Sequence, residues 1–256
     1  MFLYNLKGRT LPGYLLVAVS ILLGCAEADT GVAEAEHAWQ IGPFQKYEGN
    51  PILTPQGETW QAKDVFNPAA WTDGETARLA LASSDDLRTW QKHGLVFPER
   101  GWTKSGAILA TPVDGQYWMY FGDTNIWAAS STDLLHWTVV EEPVLRPRPG
   151  HFDSRLVEPG PAPVLTDAGI LLLYNAADST LAYASGQALF DPADPTILLA
   201  RSDTPFLTPT TILEQTGQVS NVVFIQGLVD FQGRSLLYFG MGDSGIGVAV
   251  HTPDGE

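Results

Sequence analysis

The chain has 256 residues, 45% of them hydrophobic and 17% charged, so it is long and apolar enough to bury a large core and is not a disordered chain. Twenty-nine acidic against 14 basic residues give a net charge of −15, which opposes binding to nucleic-acid phosphates, and no nucleic-acid partner is expected. A single Cys excludes an internal disulfide, and 25 Gly with 18 Pro favour short strands joined by tight turns.

The start of the chain has the features of an export signal. Basic residues without acids precede an apolar run over residues 11–23, and the letters LLGC end at Cys25. The run is too short, and too interrupted by Pro and Gly, for a membrane-spanning helix, whereas LLGC resembles a bacterial lipobox. We therefore expect residues 1–24 to be a lipoprotein signal peptide, Cys25 to be lipidated and residues 25–40 to be a linker. The alternatives are an ordinary secretion signal and an uncleaved anchor, and export is the common consequence.

After the linker, the sequence repeats one structural unit. The letters ASSDDLRTW at 82–90 return as ASSTDLLHW at 129–137. A second motif, a Pro or Gly followed by two apolar residues, one variable residue and a Pro, occurs four times. Its copies are PILTP, GLVFP, PVLRP and PFLTP, at 51–55, 94–98, 143–147 and 205–209. Four copies predict four units.

Each unit begins with an extended run that ends in a turn. The runs cover 65–71, 104–112, 157–166 and 221–229, and three of the turns lead into β-forming strands at 117–122, 170–174 and 235–240. Short strands that recur about every 40–60 residues are typical of propeller blades. We therefore predict an all-β fold with a β-propeller over residues 41–256. A sandwich or jelly roll is the alternative, but it does not require sequence repetition.

The first unit is shorter than the second. Between Gly115 and Ala129 the second unit has room for a complete strand, whereas between Gly74 and Ala82 the first unit has only residues 75–81. One strand is therefore predicted to be missing from the first blade. A missing strand leaves unpaired backbone groups and an exposed sheet edge unless another segment covers them.

Several motifs follow one another in a fixed order between residues 51 and 249. They are FNPAA at 66–70, KSGAI at 104–108, VEPGPAP at 157–163, GQALFD at 186–191, NVVF at 221–224 and YFGMGDS at 238–244. Together these motifs resemble glycoside hydrolase family 130. The resemblance implies a five-bladed β-propeller that cleaves β-mannosidic linkages, by phosphorolysis in some members and by hydrolysis in others. In this chain the repeats predict four blades of that type, the first incomplete.

One segment of the family pattern is absent from this chain. The resemblance implies a Tyr-Arg strand and a Glu-Asp-Pro-Arg stretch, whose Asp is the catalytic acid, between the FNPAA motif and the strand at 78–82. Here Glu75 and Thr76 lead directly into that strand, and the letters EDPR occur nowhere in the chain. The resemblance and the repeats thus agree on an internal deletion of about one blade that removes the proton donor.

Six residues at matching motif positions are implied as site residues by the resemblance. Glu158 and Glu214 are candidates for the general base, and Asn67, Lys104, Asp123 and Asp243 are candidates for substrate binding. An inverting glycosidase needs a carboxylate that activates water, whereas a phosphorylase needs a cationic pocket for phosphate. Lys104 matches a family Lys beside the phosphate, but Asp123 and Asn175 stand where phosphorylases often have Arg and commonly have His. The balance of charges favours hydrolysis over phosphorolysis.

Each of these residues also has a structural alternative. Lys104 is alternatively a surface charge at a strand end, the two Glu residues alternatively bond turn amides, and Asn67 and Asp243 lie in patterns common in turns. Four tryptophans are candidates either for stacking on sugar faces or for core packing: Trp71, Trp102, Trp118 and Trp127. Trp90 and Trp137 are equivalent in the repeat and are predicted to be structural.

Two functions remain open. The first is an exported enzyme that hydrolyses or phosphorolyses β-mannosides, with activity impaired by loss of the acid segment; the second is a non-catalytic, glycan-binding lipoprotein. In both cases the partner is an oligosaccharide or glycan, and the membrane is reached only through the N-terminal lipid, in the periplasm or at the cell surface. The five His show no metal-ligand spacing, so no metal or cofactor is expected. Inorganic phosphate is the co-substrate in the case of phosphorolysis.

Overall fold

The computed structural model describes residues 38–52, 54, 71–72, 77–85 and 88–253. These ranges contain 17 strands and one five-residue helix, which confirms the predicted all-β class. The predicted signal peptide, the lipidation site Cys25 and the candidate Asn67 lie outside the described residues. In the described ranges, no helix is long and apolar enough to cross a membrane.

The first unit is built from two short antiparallel strand pairs. Strand β2 (Trp71–Thr72) pairs with β3 (Ala77–Arg78), and β4 (Ala80–Ser83) pairs with β5 (Gln91–Leu95). Only Leu79 separates β3 from β4, and its carbonyl oxygen accepts a hydrogen bond from the Val96 amide at 2.9 Å. The described part of this unit therefore holds three strand positions. The missing strand stays a prediction, because residues 55–70 and 73–76 lie outside the described ranges.

The second unit is a complete four-stranded blade. Its consecutive antiparallel strands are β6 (Gly106–Val113), β7 (Gln116–Phe121), β8 (Trp127–Ser131) and β9 (Thr138–Val139). The predicted turn between β6 and β7 is formed by Asp114 and Gly115, with φ values of 48° and 75°. These left-handed values suit Asp and Gly, so the letters DG set the position of this turn.

The third unit is the most deeply buried blade. Its strands are β10 (Leu156–Pro159), β11 (Val164–Thr166), β12 (Gly169–Ala177), β13 (Tyr183–Phe190) and β14 (Leu198–Arg201). Strands β10 and β11 both pair with β12, at opposite ends of it, so together they fill one strand position. All nine residues of β12 are buried, which explains its nearly continuous apolar sequence.

The fourth unit combines the two ends of the described domain. Helix α1 (Ile212–Thr216) precedes β15 (Val223–Phe231), β16 (Arg234–Met241) and β17 (Gly245–His251). The fourth strand of this sheet is β1 (Gln45–Lys46), which pairs antiparallel with β17. A two-residue strand carries no periodic signal, so the sequence did not indicate this pairing.

Alternating side chains connect the second and the third blade to both of their neighbours. On β7, Met119 and Phe121 pack in a cluster with residues of the first unit, whereas Tyr120 packs in a cluster with the third. On β12, Leu172 faces the cluster shared with the second unit and Leu173 the cluster shared with the fourth. Successive side chains of a strand point to opposite faces of the sheet. A blade that is buried on both faces therefore needs apolar residues at both odd and even positions of its strands.

Antiparallel pairing brings the candidate site residues to one edge of the sheets. Gly106 at the start of β6 lies opposite Phe121 at the end of β7, and Val223 at the start of β15 lies opposite Met241 at the end of β16. The segment before each first strand therefore lies beside the turn that follows the second strand. Val157 in β10 likewise lies opposite Ala176, near the end of β12.

Candidate functional site

Glu158, in β10, is a fully buried acid. Its Oε2 atom lies 3.1 Å from the Lys104 Nζ atom and accepts a hydrogen bond from the Ser105 hydroxyl at 3.1 Å. Its Oε1 atom is buried and has no hydrogen-bond partner in the described part of the chain. Buried polar atoms are nearly always paired, so an orphaned carboxylate oxygen marks a place where a water or a substrate hydroxyl is expected to bind.

The protonation of Glu158 is tuned by its surroundings. Burial raises the pKa of the Glu158 carboxyl, Lys104 and Ser105 oppose this by stabilising the anion, and the nearby charge of Asp123 raises the pKa further. The net direction is upward. A carboxyl with a raised pKa exchanges protons closer to neutral pH, which is the property required of a group that does acid–base work.

Lys104 and Ser105 are held by the loop that follows β7. The Lys104 carbonyl accepts a hydrogen bond from the Gly122 amide at 2.9 Å, and Ser105 adopts a left-handed φ of 53°. Gly122 has a φ of 129°, and a Cβ atom there would lie 2.2 Å from the Asn125 carbonyl oxygen. Only glycine fits such a position, so this loop depends on Gly122 for its approach to Lys104.

Asp123 lies in sequence between Gly122, whose amide bonds to the Lys104 carbonyl, and Thr124. The Thr124 carbonyl accepts a hydrogen bond from the amide of Val157, the residue before Glu158, at 3.2 Å. The Asp123 carboxylate accepts a hydrogen bond from the indole N–H of Trp102. The second unit thereby places a partly exposed carboxylate beside the buried one of the third unit.

Tyr183, at the start of β13, lies within electrostatic range of three acids. Burial, followed by the charges of Glu158, Asp123 and Asp243, raises the pKa of its phenol to about 12, while Arg155 opposes the shift. The three acids belong to the third, second and fourth units, so Tyr183 marks the point where these units converge. No motif singled out Tyr183 in the sequence, and its role as a convergence point comes from the fold.

Glu214 belongs to a separate network. Its Oε2 atom accepts hydrogen bonds from the amides of Thr210 and Thr211, at 2.6 and 2.9 Å, and lies 2.7 Å from the Lys46 Nζ atom. These hydrogen bonds outweigh the effect of burial and lower the pKa of the Glu214 carboxyl. Thr211 and Glu214 form a capping box on α1, a pattern that the letters TILE announce in the sequence. In the described part of the chain, Glu158 and Glu214 share no partner.

Asn175 joins the third and fourth units. Its buried amide side chain donates to the Ile225 carbonyl at 3.0 Å and accepts from the Ile225 amide at 2.7 Å. Asn175, which the resemblance aligns with a His of phosphorylases, therefore bridges two blades in this chain.

Other buried or half-buried cations near the third unit are already neutralised. Asp153 is fully buried and lies 2.9 Å from an Arg148 nitrogen and 2.6 Å from an Arg201 nitrogen. The Tyr174 hydroxyl donates to the same carboxylate at 2.9 Å. These residues form a structural charge cluster in which both guanidinium groups are ion-paired with the Asp153 carboxylate.

The predicted tryptophans fall into different environments. Trp118 and Trp127 are partly buried, whereas Trp102 is 55% exposed beside Asp123. Trp137 donates to the Leu134 carbonyl and packs against the core shared by the first two units. Its repeat equivalent Trp90 is 55% exposed, so the two repeat positions differ in burial.

The comparisons with known proteins agree with this architecture. The glycoside hydrolase family 130 model, described as beta-1,4-mannooligosaccharide phosphorylase, matches residues 65–254. The 1,2-beta-oligomannan phosphorylase of Thermoanaerobacter sp. (strain X514) is 34% identical over 68% of this chain and 58% of its own length. The beta-1,2-mannobiose phosphorylase of Listeria innocua is 33% identical over 80% of this chain and 58% of its own length.

Solved structures with the same fold include hydrolases. A glycosyl hydrolase from Bacteroides ovatus has a TM-score of 0.68 and 39% identity, covering 72% of this chain and 60% of its own. A glycoside hydrolase that targets beta-1,2 mannosidic linkages in Candida mannan has a TM-score of 0.69 and 38% identity, covering 71% and 60%. The chain thus spans about three fifths of the length of these relatives.

Proposed function

Because the chain belongs to glycoside hydrolase family 130, we propose that it binds β-mannosides at the Glu158 site and that its residues favour hydrolysis over phosphorolysis. One observation carries this proposal. Glu158 is buried, held through Oε2 by Lys104 and Ser105, and has an unpartnered Oε1 in the described part of the chain. This is the arrangement expected of an oriented carboxylate that accepts a proton from water or from a sugar hydroxyl.

The charges around the site support hydrolysis. Three carboxylates, those of Glu158, Asp123 and Asp243, lie near Tyr183, and the nearby cations are Arg155 and Lys104. Lys104, the residue that the resemblance places beside phosphate, is paired with Glu158. A surplus of negative charge opposes the entry of phosphate, whereas it does not oppose a neutral water or sugar.

Turnover of natural mannosides is proposed to be weak. General acid assistance typically contributes about 10²–10⁴-fold to glycoside cleavage, and the acid segment of the family pattern is absent from this chain. An activated aryl mannoside needs less protonation of its leaving group, so we expect it to be cleaved faster than a natural disaccharide. The absence of the acid also favours the second candidate function, a non-catalytic glycan-binding protein.

Export belongs to the proposal in both cases. The charged start, the apolar run and the letters LLGC support cleavage before Cys25 and lipid attachment there. A lipid-anchored protein with this site would hold mannosides at the periplasmic or outer surface of a membrane.

The experiment measures binding and cleavage separately. Calorimetry with β-1,2- and β-1,4-mannobiose tests binding to the wild type and to Glu158→Gln. Release of mannose, mannose 1-phosphate or aryl alcohol, with and without phosphate, tests the reaction. We expect binding that Glu158→Gln weakens, slow phosphate-independent cleavage of the aryl mannoside, and no change in the control Glu142→Gln, which alters an exposed acid paired with exposed Arg146. Phosphate-dependent formation of mannose 1-phosphate would contradict the preference for hydrolysis, and absence of any mannoside binding would contradict the proposal itself.

A further inference from the structure

An open cleft lies on the first unit, between the last residues of β4 and the first residues of β5. Its volume is about 780 Å³, and its lining residues are Ser83, Ser84, Asp85, Thr89, Trp90 and Gln91. Small-molecule sites usually have volumes of about 300–1,000 Å³, so this cleft is large enough for a sugar unit.

The cleft is separate from the Glu158 site. Just before β4, the Leu79 amide donates a hydrogen bond to the Thr103 hydroxyl at 3.0 Å, and Thr103 is the residue before Lys104. Ser83 is the last residue of β4, and the four residues from Leu79 to Ser83 span about 13 Å of strand. The cleft therefore opens at the end of the first unit that is distant from Lys104, and it does not extend the Glu158 site.

Trp90 is the residue of this cleft that differs most from its repeat equivalent. Trp137 donates through its indole N–H to the Leu134 carbonyl at 3.1 Å and packs against the core shared by the first two units. The repeat predicts the same structural role for Trp90, but Trp90 is 55% exposed. Its indole makes no hydrogen bond with the residues that the structure describes. The ring and the N–H group of Trp90 are therefore available to a ligand.

Polar groups surround Trp90 in the cleft. The exposed Asp85 carboxylate offers hydrogen-bond acceptors, and the exposed Gln91 amide offers both donors and an acceptor. The Ser83 hydroxyl is hydrogen-bonded to the His93 Nε2 atom at 2.8 Å. A pyranose has an apolar C–H face that packs on an aromatic ring, and hydroxyls that both donate and accept hydrogen bonds. The lining of the cleft matches both properties.

We propose that the Trp90 cleft is a surface site that holds a neutral polysaccharide. The inference goes beyond the proposed function, and only the choice of a β-mannan as the probe rests on that function. Among the described residues, the lining has one carboxylate and no basic side chain, and the whole chain carries a net charge of −15. These charges repel an anionic ligand. One exposed carboxylate is also insufficient for a cation such as Ca²⁺, which takes about 6–8 oxygen ligands.

A polysaccharide site changes which glycans the protein retains. A chain held at Trp90 keeps its other sugar units at a raised local concentration near the protein. Where one chain reaches two linked sites, its overall affinity typically exceeds that of either site by about 10²–10⁴-fold. A disaccharide bound at Glu158 gains nothing from the distant cleft. The Trp90 cleft therefore favours long glycans over short ones.

The test compares a soluble long-chain β-mannan with β-mannobiose. Affinity electrophoresis measures mannan binding and calorimetry measures mannobiose binding, for the wild type, Trp90→Ala, Glu158→Gln and the double variant. We expect Trp90→Ala to lower mannan affinity at least about tenfold, the effect of one lost ring contact, and to leave mannobiose affinity unchanged. Glu158→Gln should weaken mannobiose binding but keep the mannan binding that depends on Trp90. Trp90→Phe should retain part of the mannan affinity.

The control is Phe231→Ala, because Phe231 is 53% exposed but belongs to β15 and lies outside the cleft. We expect it to change neither affinity. Normal mannobiose binding together with a mannan affinity that Trp90→Ala leaves unchanged overturns the polysaccharide site alone. Mannan binding through Trp90 without any mannobiose binding overturns the proposed function alone, and a wild type that binds neither overturns both.

Two further outcomes also overturn the polysaccharide site. Equal loss of mannan and mannobiose binding in Trp90→Ala shows an effect of the substitution on the whole domain rather than on a separate site. Self-association of the wild type in sedimentation, abolished by Trp90→Ala without any change in mannan affinity, shows that the cleft is a protein contact.

Discussion

The ion pair between Lys104 and Glu158 allows a quantitative test of the site. Substitution of Lys104 by Met removes the cation and keeps most of the apolar stem, so the buried Glu158 carboxylate loses the partner 3.1 Å from its Oε2 atom. The Ser105 hydrogen bond remains. The variant therefore isolates the contribution of one charge to an otherwise unchanged pocket.

Two limits bracket the expected loss of stability at pH 7.5. A hydrogen bond to a charged group contributes about 1.5–3 kcal/mol, and the Lys104 side chain is 34% exposed, so water screens the pair and the lower part of this range applies. The upper limit is protonation of Glu158, which costs about 1.36 kcal/mol per pH unit above an unfolded pKa of about 4.3, or about 4 kcal/mol at pH 7.5. We expect a loss of about 2 kcal/mol.

The pH dependence has a definite sign. Burial raises the pKa of Glu158 in the folded protein, so the stability from this group is present below about pH 4.3 and is lost as the pH rises through the folded pKa. Loss of Lys104 raises that folded pKa further, and the difference between variant and wild type therefore grows with pH. At pH 5 protonation costs less than about 1 kcal/mol, which caps the effect of the substitution there.

Urea unfolding at pH 5.0 and pH 7.5, followed by tryptophan fluorescence, measures the effect in the wild type, Lys104→Met, Glu158→Gln and the double variant. Lys104→Met should cost about 2 kcal/mol more stability in the wild-type background than in the Glu158→Gln background at pH 7.5. The exposed pair of Arg146 and Glu142 is the control, and Arg146→Met should change stability by less than about 1 kcal/mol. Equal costs at both pH values, or in both backgrounds, would refute the pairing.

Three further outcomes are expected. Cys25→Ser should release the protein from the membrane fraction and remove an acyl label, and unchanged fractionation with no label on the wild type would exclude lipidation. Glu214→Gln should lower the free energy of unfolding by about 1–2 kcal/mol, because it weakens the helix cap and the ion pair with Lys46, and it should leave mannoside binding unchanged. A folded variant that no longer binds mannosides would show that Glu214 belongs to the binding site. A family-type blade inserted between Thr76 and Ala77 should raise cleavage of natural mannosides by about 10²–10⁴-fold, and an unchanged rate in a folded variant would argue that the acid is not what the chain lacks.

Local chemistry explains why the strands were predictable. The turn at Asp114 and Gly115 needs left-handed residues and has them, and the apolar run of β12 is continuous because both faces of that strand are buried. These features are determined by residues that are neighbours in the sequence, so they can be predicted without knowledge of the fold. The capping box at Thr211 and Glu214 was also readable from the letters TILE, whereas the role of Glu214 as a candidate base stays a prediction.

Features that depend on distant segments were not predictable. Trp90 and Trp137 occupy equivalent repeat positions, yet Trp90 is 55% exposed and Trp137 packs on the core, because burial depends on what the neighbouring strands cover. Strand β1 pairs with β17, which lies about 200 residues later in the chain, and so becomes part of the last sheet. Tyr183 gains its three acidic neighbours in the same way. In each case the partner is fixed by packing between blades, which repeats in sequence do not specify.

The distribution of the site over the blades explains how binding and proton donation are separated in the proposed function. Lys104, Asp123, Glu158 and Asp243 come from the second, third and fourth units, which are held to one another by the clusters of β7 and β12. The acid that the resemblance implies belongs to the segment that is predicted to be missing beside the first unit. Because blades are stabilised mainly by their nearest neighbours, loss of that segment leaves the later units and their carboxylates in place. In the proposed function, the chain therefore keeps the groups that hold a sugar and lacks the group that protonates its leaving oxygen.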